Sequence, residues 1–110
     1  MSHRVVITDP ADRNFRDHFQ WIKERSLQGA EAWRTRIIKA VQSLETSPER
    51  HPLARESAAF PVEIRCLLSG KNRSAFRILY QIKGREVRIL AIRRPSQDLM
   101  DPEDESDSDS

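Results

Sequence analysis

An α+β fold of order β-α-α-β-β-β, an antiparallel sheet with an αα-hairpin packed on one face, follows from three observations in the sequence. Apolar residues recur at helical spacing between residues 15 and 44. They alternate in strand fashion from residue 62 onward, and one β-branched run, RVVIT, precedes both segments. At 110 residues the chain makes one domain with one core, and that domain is assigned to residues 1–100.

Each element has a local reason. RVVIT (4–8) is the first strand. Thr8 or Asp9 can cap the helix that follows, and Pro10 is tolerated in its first turn. Phe15, Phe19 and Ile22 form the apolar stripe of this helix, with Trp21 beside it, and Gly29 interrupts. Ala30, Trp33, Ile37, Ala40, Val41 and Leu44 mark one face of a second helix, and a connection this short folds the pair back as a hairpin. Pro48 and Pro52 end the helix and open a linker. VEIRCLLSG, AFRILYQI and VRILAIRR read as three strands, with KNRS a loop and KGRE a tight turn in which Gly84 takes the positive φ.

Composition narrows the class. A single cysteine, Cys66, cannot form an internal disulfide, and the three histidines share no spacing that suggests a metal site. No apolar run approaches the roughly 20 residues of a membrane span, so a soluble, cytoplasmic protein without cofactor is expected. The net charge of +2 conceals segregation: residues 101–110, DPEDESDSDS, hold six of the 17 acidic side chains and no basic one. The remainder carries 19 Lys and Arg against 11 Asp and Glu, a balance of +8, which suggests an anionic partner. The acidic segment itself is too polar to pack and is predicted to be a disordered tail, able to visit a basic face.

Strict alternation sorts the strands into faces. Phe76, Ile78, Tyr80, Ile82, Val87, Ile89 and Ala91 fall inward, under the helices. Arg77, Leu79, Gln81, Arg88, Leu90, Ile92 and Arg94 fall outward, and Arg93 takes the inward parity at the strand end. In the preceding strand Val62, Ile64, Cys66 and Leu68 fall inward, and Glu63, Arg65 and Leu67 outward. Arg65, Arg77 and Arg94 are thereby expected on one open face, with Lys71 and Arg73 on the loop at its end. Guanidinium groups held rigidly in this way suit phosphate oxygens.

The hairpin of helices, the proline-interrupted link, EIRCLLSG, FRILYQI and the closing VRILAIRR together resemble the RelE/ParE superfamily of toxins from type II toxin–antitoxin modules, over about residues 4–98. The resemblance implies the fold just derived and an acidic antitoxin that wraps around the toxin. RelE-like members cut messenger RNA, usually on the ribosome; ParE-like members inhibit DNA gyrase and are not nucleases; a decayed toxin kept for antitoxin binding is a third reading. The endoribonuclease reading is placed first here and the gyrase reading second. For cleavage, the resemblance makes Arg77 a phosphate contact, with Arg65 and Arg94 as further catalytic cations and Glu56 as base. Lys71, Arg73, Arg88 and Arg93 are expected as further RNA contacts, and Lys71 is a second candidate for the base. Arginine is too weak an acid to carry protons, so its role is electrostatic. One departure is plain: RRPSQDLMDP contains no Tyr or His where many RelE-type members carry one.

Overall fold

Thr8 closes the first strand and opens the first helix: its hydroxyl accepts from the Ala11 amide at 3.4 Å and donates to the Ile89 carbonyl at 2.7 Å. The computed structural model describes residues 2–71 and 75–94. The elements are β1 (Arg4–Ile7), α1 (Asp9–Lys23), α2 (Leu27–Gln42), β2 (Arg65–Ser69), β3 (Phe76–Lys83) and β4 (Glu86–Arg93), with 3₁₀ turns at Ser43–Glu45, Pro48–Arg50 and Arg55–Ala59. Arg73 and the acidic segment 101–110 lie outside the described residues.

The α+β class and element order are as expected. The sheet runs β1-β4-β3-β2, antiparallel except that β1 joins β4 in parallel, so the sheet is mixed. Gly29 does not separate the helices. Ser26 caps α2 by accepting from the Gly29 amide at 2.9 Å, which places the glycine in the first helical turn. Gly84 has φ +62 in the two-residue turn between Lys83 and Glu86, the conformation this hairpin needs.

The principal core lies between the helices and one sheet face. Trp33, Ile37 and Val41 of α2 meet Ile78, Tyr80, Val87, Ile89 and Ile92 of the sheet, with Ala11 and Leu44 closing the ends. The predicted helical stripes account for most of it. His18 was not foreseen there: it is buried, its ring stacks edge-on to Trp33 and Phe76, and its Nε2 donates to the Ile92 carbonyl at 2.8 Å. Burial lowers its pKa, and Arg94 opposes protonation further. No helix among the described residues is long and apolar enough to cross a membrane.

Strict alternation fails in β4. Leu79 pairs with Ala91 and Tyr80 with Ile89, so Leu90 is an extra residue, a β-bulge. Beyond it every side chain changes face. Ile92, expected outward, is buried in the helix-side core, and Ala91, expected inward, lies on the other face with Leu90. Arg93 and Arg94 exchange their expected sides for the same reason.

The strand β2 is also turned over relative to expectation. Arg65 pairs with Tyr80 and Leu67 with Ile78, which puts both on the helix side, while Cys66 pairs with Leu79 and Leu68 with Arg77. Ile64 and Cys66 therefore face away from the helices, Leu68 is exposed rather than inward, and Val62 is exposed before the strand begins. The face expected to be open carries a second small core of Ala54, Ile64, Cys66 and Leu79.

Candidate functional site

The linker after α2 forms this second core. Its course is fixed by hydrogen bonds to the outer edge of β2 and the residue before it. The Ala54 amide donates to the Ile64 carbonyl at 2.7 Å and the Cys66 amide to the Pro52 carbonyl at 3.0 Å, so Pro52–Ala54 lies along the outer edge of β2. Ser57 Oγ accepts from the Ile64 amide at 2.9 Å. These bonds carry the 3₁₀ turn Arg55–Ala59 beneath the sheet.

That turn delivers Glu56 to Arg77. Both terminal nitrogens of Arg77 donate to the two carboxylate oxygens, Nη1 to Oε2 at 2.7 Å and Nη2 to Oε1 at 2.8 Å. Arg77 is only 6 % exposed. The geometry is the strong fork-to-fork pairing of guanidinium with carboxylate. Hydrogen bonding to Arg77 holds the Glu56 carboxyl below its ordinary pKa, and the same bonds raise that of Arg77. Arg93 lies directly across from Arg77 on β4, also facing Glu56, and its Nε is buried without a hydrogen-bond partner among the described residues.

Arg65 is not part of this group. On the helix side of β2, its Nη1 donates to the carbonyls of His51 at 2.7 Å and Glu49 at 3.2 Å. Tyr80 donates its hydroxyl to the Pro48 carbonyl in the same linker turn. Burial raises the Tyr80 pKa to about 12. Arg65 and Tyr80 thus clamp the Pro48–Arg50 turn.

The predicted site residues consequently divide. Glu56, Arg77 and Arg93 meet on one face; Arg65 sits on the other; Arg94 follows β4 onto the helix side, near His18. Arg88 keeps the outward parity, where its Nε donates to Glu86 at 2.9 Å. Lys71 is exposed at the end of β2, and Arg73 lies outside the described residues. The expectation of Arg65, Arg77 and Arg94 on a single face is not met, because the bulge at Leu90 and the inverted β2 each move one arginine. Among the described residues no group of three His, Cys, Asp or Glu side chains could hold a metal ion.

Sequence reasoning also missed an apolar groove of about 360 Å³ at the opposite edge of the sheet, lined by Val5, Ile7, Phe15, Ile37, Ile38 and Ile89. Ile7 is 51 % and Ile38 is 38 % exposed there. The signal was present: Ile38 lies off the buried stripe of α2, and Ile7 ends the edge strand.

Comparison with known proteins agrees with the fold. Residues 5–99 match the family described as ParE toxin of type II toxin-antitoxin system, parDE. Among solved structures, the chain is similar to one from the chromosomal ParDE TA system of P. aeruginosa. The TM-score is 0.66 at 20 % identity, over 84 % of this chain and 96 % of that one. No curated protein matches.

Proposed function

We propose, from the premise that this chain belongs to the ParE toxin family of type II toxin–antitoxin systems, that it inhibits DNA gyrase and does not cleave RNA. The observation that carries this reading is the Glu56–Arg77 pair. Cleavage by a 2′-hydroxyl requires cations converging on the phosphate, with a base and an acid beside them. Here the arginine that would hold the phosphate is engaged at both terminal nitrogens by the chain's own carboxylate. Arg65 acts on the other side of the sheet. Glu56, with its pKa lowered, is a poor base at neutral pH, and the Tyr80 hydroxyl is buried against the linker. The endoribonuclease reading, placed first on sequence, therefore becomes the second.

The test uses purified toxin in two assays. Supercoiling of relaxed plasmid by gyrase is expected to fall as toxin is added, while messenger RNA from cells expressing the toxin stays intact. Cleaved transcripts alongside normal supercoiling would overturn the proposal.

A type II toxin has an antitoxin partner, and the apolar groove between β1 and α2 is the surface we assign to it. β1 is an edge strand, so an incoming segment can place apolar side chains in the groove beside unpaired backbone groups. Ile38→Asp is expected to weaken antitoxin binding by about 2 kcal/mol, roughly 30-fold, by calorimetric titration. Its thermal unfolding midpoint should stay near that of the native chain, since the side chain is already partly exposed.

A further inference from the structure

The sheet face turned away from the helices carries the linker-side core toward its β2 edge. Its opposite corner, where β1 begins and β3 turns into β4, presents charge instead. Register places Arg4 of β1 and Lys83 of β3 on either side of Glu86 of β4, with Arg88 two residues farther along that strand. Val5, Ile82 and Val87 take the other parity and pack in the helix-side core. Arg4, Lys83, Glu86 and Arg88 therefore share the outer face.

Glu86 organises this corner. Its Oε2 accepts from Arg4 Nη2 at 3.2 Å, and its Oε1 accepts from Arg88 Nε at 2.9 Å. One carboxylate thus orients two guanidinium groups and leaves their remaining nitrogens without an acceptor among the described residues. The Arg4 side chain is 80 % exposed and that of Arg88 41 %. Lys83 is exposed as well. Glu45, whose carbonyl receives the His3 amide, lines the apolar groove on the helix side and is turned away from this face. Arg4, Lys83 and Arg88 against Glu86 leave a local excess of positive charge on side chains already held in place.

Spacing and chemistry select the ligand. Neighbouring strands lie about 4.8 Å apart, so Arg4 and Lys83 stand roughly 10 Å apart across β4. A strand of B-DNA advances about 3.4 Å per phosphate, so a row of that width meets about three phosphates. In the rows Arg4–Glu86–Lys83 and Val6–Arg88–Gln81 the one apolar side chain is Val6. A protein partner would need a larger aromatic or aliphatic anchor, whereas a sugar–phosphate backbone needs cations alone.

We propose that Arg4, Lys83 and Arg88 form a contact surface for the phosphodiester backbone of duplex DNA, bound without regard to base sequence. The choice of DNA as the polyanion rests on the gyrase reading. The binding test contains no gyrase, so either can fail alone.

The test measures fluorescence anisotropy of a labelled plain DNA duplex with the full chain, from about 50 to 200 mM salt. Three phosphate contacts give a slope of log affinity on log salt near about −2.7. Lys83→Gln leaves both ion pairs intact and should make that slope shallower by about 1. Lys83→Gln combined with Arg88→Gln should weaken binding at least about tenfold at the lowest salt. All four positions are at the surface, and circular dichroism checks that each variant is folded. Arg36→Gln with Lys39→Gln, on the exposed face of α2, removes equal charge elsewhere and should change neither quantity. An equal loss in that α2 variant would overturn the proposal, as would no binding at the lowest salt. Displacement of the duplex by a polyglutamate peptide at equal charge, or tighter binding to duplex RNA of the same sequence, would also overturn it.

Discussion

Ile92→Asp is expected to abolish the folded state, whereas Leu90→Asp should leave a weakened but folded protein. The two positions share an alternation parity, and a regular strand would expose both. The bulge separates them: Ile92 is buried among Trp33, Ile78 and Ile89, while Leu90 is half-buried against the smaller linker-side core. An unpaired carboxylate at position 92 costs at least about 5 kcal/mol, comparable with the whole stability of a domain this size. At position 90 the carboxylate keeps contact with solvent, and the cost is about 1–2 kcal/mol. Far-ultraviolet circular dichroism with thermal melts distinguishes the outcomes. Similar melting of the two variants would show that β4 is regular.

Arg77→Met is the second large effect. It leaves Glu56 beneath the sheet without its partner, at a cost of about 2–4 kcal/mol, discounted slightly because the carboxylate side chain is 21 % exposed. Glu56→Gln retains some hydrogen bonding and costs about 1–2 kcal/mol. Glu56 has a lower pKa folded than unfolded, so the pair stabilises fully above the unfolded value near 4.5 and less as pH falls through the folded one. The difference in denaturation midpoint between the native chain and Glu56→Gln should accordingly shrink below pH 4.5. Toxicity of Arg77→Met should decline only as far as the folded fraction declines. A much larger loss of activity, with the fold intact, would return Arg77 to a direct role in chemistry.

The helices were legible because their signals are local. Thr8 and the Trp33–Ile37–Val41 stripe each act within a few residues, and Gly84 marks its turn unaided. The faces of β2 and of the end of β4 were not legible, for a common reason. In RCLLS, apolar residues occupy both parities, and in ILAI an extra residue leaves the run equally apolar in either register. Tertiary pairing decides both cases: Arg65 against Tyr80, Leu79 against Ala91. The candidate site depended on these faces, so its arginines were identified by type and misplaced in space. Glu56 was found as a carboxylate of interest, but its engagement with Arg77 spans 21 residues of chain and a linker whose course no local pattern encodes.

The parallel seat of β1 on β4 has a consequence for how the protein is made. Arg4 meets Glu86 and Ile7 meets Ile89, so the first strand synthesised finds its neighbour only among the last. Such a contact closes a long loop and is slow to form. During translation, emerging from the N-terminus at about 5–20 residues per second, the α-hairpin can assemble while β1 still lacks its place. A chain interrupted before Glu86 keeps both helices and has no strand for β1 to join. The nascent toxin thus completes its sheet, and the edge beside its apolar groove, only after β4 has been made.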